Sequence, residues 1–263
     1  MPATEPRLRT LAAVAAGVRF LPRAWRAVWP ALALACLVGG LWISAPRDGV
    51  LAGLAILAVW IAQGALWRLA FDWIVHRRGL HIGKVEWRTL AVWLLAGAFL
   101  VIVKLLGLLL LVAAAYGVAS AGRGFSAVRP DTWAAAARGQ GSLLLGVLGF
   151  GAVLAVVFIA ARLSLAGAAT AACGRIQVLA TWARTRGQAA RLAVVFALLG
   201  AGPLALALLA WTRPWDEAGR ASPFLAGLCG AAALGVWLPL HAGAAAHVWR
   251  VLAPATNRTA SGR

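Results

Sequence analysis

The chain is short of charge, and shortest of acid. Of its 263 residues 12% are charged, with seven Asp and Glu against 25 Lys and Arg, and only Lys84 and Lys104 are lysine. Soluble domains carry about 25% charged residues, so this shortage excludes a water-soluble enzyme. Asn257 is the single Asn, and arginine, alanine and glycine dominate, the usage of a GC-rich bacterial coding sequence. The three cysteines, Cys36, Cys173 and Cys229, stand in apolar surroundings without Cys-x-x-Cys spacing. That pattern argues against a metal knuckle or a disulfide framework. Neither Gly-x-Ser-x-Gly nor His-Glu-x-x-His occurs. His76 and His81 are five positions apart and His241 and His247 six, whereas i, i+3 or i+4 would put two rings on one helix face. The sequence therefore offers no catalytic, metal or cofactor site. Its formal charge of +18 is expected to serve a membrane and not a nucleic acid.

What is present is apolar: 63% of residues are hydrophobic and the mean hydropathy is +0.86. A membrane-crossing helix needs about 20 mainly apolar residues for about 30 Å of hydrocarbon. Six stretches qualify, at residues 27–46, 49–67, 89–115, 139–161, 192–212 and 223–249. They predict an all-α polytopic membrane protein with a single membrane domain over 1–263, its spans paired as three hairpins. Pro46, Arg47, Asp48 and Gly49 are expected to form a tight outer turn. Arg19, Arg23 and Arg26 break the Ala-rich run after Arg7 and Arg9, so a removable signal peptide is not expected.

Basic residues sort the connections. Arg7, Arg9, Arg19, Arg23 and Arg26 precede the first span; Arg68, Arg77, Arg78, Lys84 and Arg88 separate the second and third. Arg162, Arg175, Arg184, Arg186 and Arg191 separate the fourth and fifth, and Arg250, Arg258 and Arg263 end the chain. The alternate connections hold only Arg47, then Arg123, Arg129 and Arg138, then Arg213 and Arg220. Cytoplasmic loops carry the excess of Lys and Arg, so both termini are expected inside, in a bacterial inner membrane. Tryptophan favours the headgroup level. Trp25, Trp29, Trp67, Trp73, Trp87, Trp93, Trp182 and Trp249 are expected at the cytoplasmic interface and Trp42, Trp133, Trp211 and Trp215 at the outer one, with Trp60 and Trp237 deeper.

The three basic connections, about 5–26, 68–88 and 162–191, read as interfacial amphipathic helices. In the first, Arg19, Arg23 and Arg26 share one face, with Leu8, Leu11, Val14 and Val18 on another. In the second, Arg68, Asp72 and His76 recur at four-residue intervals as a polar stripe with one local ion pair. Small residues at Gly49 and Gly53, Ala226 and Gly230, Ala231 and Gly235, and Gly146 and Gly149 are read as helix-packing positions.

Arg162-Leu163-Ser164-Leu165-Ala166-Gly167, followed by Thr181-Trp182-Ala183-Arg184-Thr185-Arg186-Gly187 before the next span, resembles the YciC-like proteins and the membrane domain fused to some glycerophosphoryl diester phosphodiesterases. Gly167, Thr181 and Arg184 depart from that pattern, which has Pro, Ser and Leu there. The resemblance implies a six-span membrane domain; the phosphodiesterase catalytic domain is absent from this chain.

No carboxylate pair falls inside a span, which argues against a proton-coupled pump. The ionisable groups inside spans are Lys104 and His241. Counted from Arg88, Lys104 lies about 24 Å along its helix, near the outer end, from which its stem can snorkel. His241 lies about 13 Å in from Arg250, beyond the kink expected at Pro239. The expected function is a non-enzymatic inner-membrane protein whose basic collar binds anionic lipid headgroups or a membrane partner, including a second copy of itself. The candidates for that role are Arg68, Asp72, His76, Arg77, Arg78, Arg162, Arg184 and Arg186. The alternative is a small transporter or lipid-handling permease with a polar-lined cavity reaching His241.

Overall fold

The computed structural model describes residues 8–45, 48–73, 75–120, 141–212 and 223–253. The expectations for Pro46 and Arg47, for the loops holding Arg123, Arg129, Trp133, Arg138, Arg213, Trp215 and Arg220, and for the tail arginines Arg258 and Arg263 lie outside these residues. Among the described residues all regular structure is helical: α1 (Thr10–Ser44), α2 (Gly49–Ala70), a 3-10 turn (His76–Gly79), α3 (Lys84–Ser120), α4 (Gly141–Leu163), α5 (Ala166–Cys173), α6 (Leu179–Arg184), α7 (Ala189–Thr212) and α8 (Pro223–Leu252). Six segments are long and apolar enough to cross a membrane: α1, α2, α3, α4 continued through α5, α7 and α8.

Two compact units are distinguished, Leu95–Ala160 and the remainder. The larger is built around α8, whose buried Ala242, Gly243, Ala244, Ala245 and Ala246 offer little side chain to hold neighbours away. α1, α2, α5 and α7 all pack on it. Close approach is concentrated where α1 crosses α8: a Cβ on Gly40 would stand 2.7 Å from the Gly227 carbonyl, and Gly230 admits Ile43. At Gly49, Gly53 and Gly146 a Cβ would meet nothing within 4 Å. Those small residues therefore make no close helix contact here, because no neighbour covers that face.

α1 is one helix in sequence but two in direction. Pro30 cannot donate to the carbonyl four residues back, and the helix breaks at Val28 (φ −127°, ψ 28°). This is one residue past the expected junction between interfacial segment and first span. The half before the break runs across the bundle. The Leu8 carbonyl accepts from Arg191 of α7 at 3.4 Å, Gly17 abuts Leu240 and Ala244 of α8, and Phe20 fills the space left by Gly243. Ala13, Gly17, Phe20 and Ala24 face inward, while Leu11, Val18 and Trp25, seven apart, form an exposed apolar stripe beside Arg19, Arg23 and Arg26.

α2 starts at a cap that its sequence supplies: the Asp48 carboxylate accepts from the Val50 and Leu51 amides at 2.9 and 3.1 Å. Its other end stops at Ala70. α3 is 37 residues long, about 55 Å at 1.5 Å per residue, well beyond a core of about 30 Å. Its first turns, to Leu94, belong to the larger unit and the rest to the smaller.

Candidate functional site

The end of the larger unit formed by the N-terminal half of α1, the end of α2, the start of α3, α5, α6 and the end of α8 gathers the basic residues. The expected stripe of Arg68, Asp72 and His76 does not form. The helix that would align them ends at Ala70, Asp72 adopts a left-handed backbone (φ 59°), and the chain reverses. Arg68 and Asp72 diverge, and the side chains of His76 and Arg77 lie outside the described residues.

Arg68 turns inward. It is 5% exposed and forms an ion pair with Glu86, itself fully buried at the start of α3. Arg68 Nη2 also donates to the His81 carbonyl at 3.3 Å, and the second Glu86 oxygen accepts from the Gly83 amide at 2.9 Å. Trp60 Nε1 donates to the Glu86 carbonyl at 2.6 Å. Trp60, Gly64 and Arg68 succeed one another at i, i+4 and i+8 on α2, and Gly64 supplies the space in which the carboxylate lies. Trp60, expected deep between helices, is thus tied to this basic end. The sequence offers one signal for the pair: a bare glycine one turn before an arginine near the end of a helix, with an isolated acid downstream.

Asp72 turns outward. Its carboxylate takes Arg23 of α1 at 2.6 Å and Arg250 of α8 at 3.4 Å, all three groups exposed. Arg250 also donates to the Ala70 carbonyl and lies over the Phe71 ring. Arg78 is exposed, with a positive φ of 50°, directly before Gly79 at φ 94°. At Gly79 only a glycine fits, since a Cβ would stand 2.8 Å from Ala65 and 3.2 Å from Ala31.

The remaining basic candidates stack on aromatic rings. Arg162, at the end of α4, lies 4.5 Å over Trp182, and Arg184 of α6 lies 4.4 Å over Trp249 of α8. Arg184 Nη1 is buried with no hydrogen-bond partner among the described residues, while Arg186 is exposed. Trp67 and Trp249, expected at the interface, lie at this end but are buried at 1% and 3% exposure. Both rings serve as packing, and that of Trp249 also as the platform for Arg184.

His241 is not in a polar cavity. The rings of Trp67, Phe196 and Trp237 surround it at centroid distances of 5.9, 5.2 and 5.4 Å. Beside it is the backbone of Ser164, where α4 breaks before α5. The adjoining groove, about 390 Å³ between α7 and α8, is lined by Ala197, Gly200, Pro203, Leu204 and Ala207 together with Phe196 and Trp237, an apolar set. Lys104 lies in the smaller unit, exposed on α3. The described residues hold no cluster of His, Cys, Asp or Glu able to bind a metal.

No known family model, curated protein or solved structure matches the chain.

Proposed function

We propose that the protein is a non-enzymatic, multi-pass protein of the bacterial inner membrane, with both termini cytoplasmic, whose basic end holds anionic lipid headgroups. The observation that carries this is the use made of acid at that end. Asp72 and Glu86 are already taken by Arg23, Arg250 and Arg68. Among the described residues Arg19, Arg26, Lys84, Arg88, Arg175 and Arg186 have no carboxylate within ion-pair distance. A surface that leaves so many cations uncompensated attracts anionic headgroups, at about 1 kcal/mol for each Lys or Arg close to the bilayer. The N-terminal half of α1 adds an exposed Leu11, Val18 and Trp25 stripe beside its arginines, the two-faced pattern of a helix lying in the membrane interface. The arrangement as three hairpins with interfacial helices, and membership of the YciC-like group through Arg162–Gly167 and Thr181–Gly187, belong to the same reading.

The test compares the unfolding temperature of the full chain in nanodiscs of phosphatidylcholine and of phosphatidylglycerol. A ligand that binds only the folded state stabilises it by mass action. The anionic bilayer should raise the midpoint by several degrees, with the gain lost in high salt and diminished in R184Q/R186Q and R77Q/R78Q. Equal midpoints in both lipids, for wild type and variants alike, would refute the proposal.

A further inference from the structure

Among the described residues of the smaller unit one cation, Lys104, faces apolar surroundings. Lys104 lines a groove of about 300 Å³ between α3 and α4, with Gly107, Leu108, Gly149, Ala152 and Val156 among its walls. A Cβ on Gly107 would stand 3.3 Å from that of Ala152, and one on Gly149 would stand 3.9 Å from Leu111. The two helices are therefore antiparallel, and the register sets Lys104 across from Ala155. Along α4, Ala155 precedes Arg162 by about 10 Å of axial rise. From Lys104 the groove extends toward Leu111 and Gly149, over small side chains, away from Arg162.

Residues 95–120 and 141–160 contain no Asp or Glu, so these two helices cannot neutralise Lys104 themselves. The groove thus pairs one ammonium with a narrow apolar channel leading away from it, which is the complement of a molecule with one anionic head and one chain. A phosphodiester remains charged and hydrated at the headgroup level, whereas a carboxylic acid can descend to this depth in its neutral form. There the ammonium would hold its head by a charge-assisted hydrogen bond. We propose that the groove between α3 and α4 binds a free fatty acid, with its carboxyl head accepting from Lys104 Nζ and its chain along Gly107 and Gly149. This site is separate from the headgroup-binding reading of the basic end, and either stands without the other.

The experiment uses the full chain in phosphatidylcholine nanodiscs and three diazirine-bearing photoprobes: palmitic acid, its methyl ester, and a phosphatidylglycerol carrying the same chain. Cross-linked residues are mapped by mass spectrometry. The acid should label α3 and α4 between Val103 and Val157 at least fivefold more than the ester. Labelling should fall at least fivefold in K104Q, survive in K104R, and fall in G149L, whose side chain would occupy the groove. Equal labelling by acid and ester in the wild type overturns the proposal whatever the variants do. So does Lys104-dependent labelling by phosphatidylglycerol that matches or exceeds that by the acid, which would make Lys104 a snorkelling headgroup contact.

Discussion

Arg68 and Glu86 show how burial reassigns a residue's role. Taking two charges out of water is costly, and the pair is held only because its geometry and added hydrogen bonds compensate. Glu86 has the Gly83 amide as well as Arg68, and Arg68 has the His81 carbonyl. Removing one partner leaves the other charged in an apolar site. R68M should destabilise the protein by about 3–5 kcal/mol in denaturant unfolding, and E86Q somewhat less because the amide can still accept from Gly83. The double variant R68M/E86L should recover most of the loss, and additive losses would show that the two residues do not act as a pair. Asp72 has the opposite character. Its arginines are exposed, so that cluster is worth at most about 1 kcal/mol. Sequence spacing placed Arg68 and Asp72 together; it could not reveal that the backbone leaves the helix at Ala70, since no proline or glycine marks the stop.

At the scale of elements, the break between α4 and α5 organises the basic end. α5 is made of small residues, with Ala166, Gly167, Ala168, Ala169, Thr170 and Ala171 all buried, and ends at Gly174 in the left-handed conformation (φ 62°). It packs against α8 and α2, and Gly167 lets the Trp67 ring approach to 3.0 Å of where its Cβ would be. Where α4 breaks, backbone carbonyls lose their helical partners, and His241 lies beside Ser164. A hydrogen bond from the ring to the Ser164 carbonyl would make the histidine a positioning residue for the break, which a variant can test. H241F, which keeps the aromatic packing and deletes the N–H, should cost about 1–3 kcal/mol in thermal unfolding and raise amide exchange across residues 166–173. Unchanged stability and exchange would show that the ring merely fills space. The basic stretch 162–191 was legible as a two-faced segment. Its division into α5 and α6 was not, because an Ala-rich run has the composition of any membrane-buried helix. The junction in α1, by contrast, was legible from the arginines before Ala27.

At the scale of the whole molecule, six apolar segments were readable because length and hydropathy need no tertiary information. The sorting of basic residues into alternate connections is a property of the sequence itself. Which of those residues remain available was not, since that depends on where Asp72 and Glu86 fall in space. The central claim is that the cations left without a carboxylate hold anionic lipid while the paired ones hold the fold together. Native mass spectrometry of protein purified from mixed phosphatidylglycerol and phosphatidylcholine tests it directly, by counting retained anionic lipids. R88Q/R175Q/R186Q should lose most of the bound phosphatidylglycerol with little change in stability. R68Q/E86Q should keep wild-type lipid counts even where stability falls. The opposite pattern, or equal retention in all three proteins, would contradict the account.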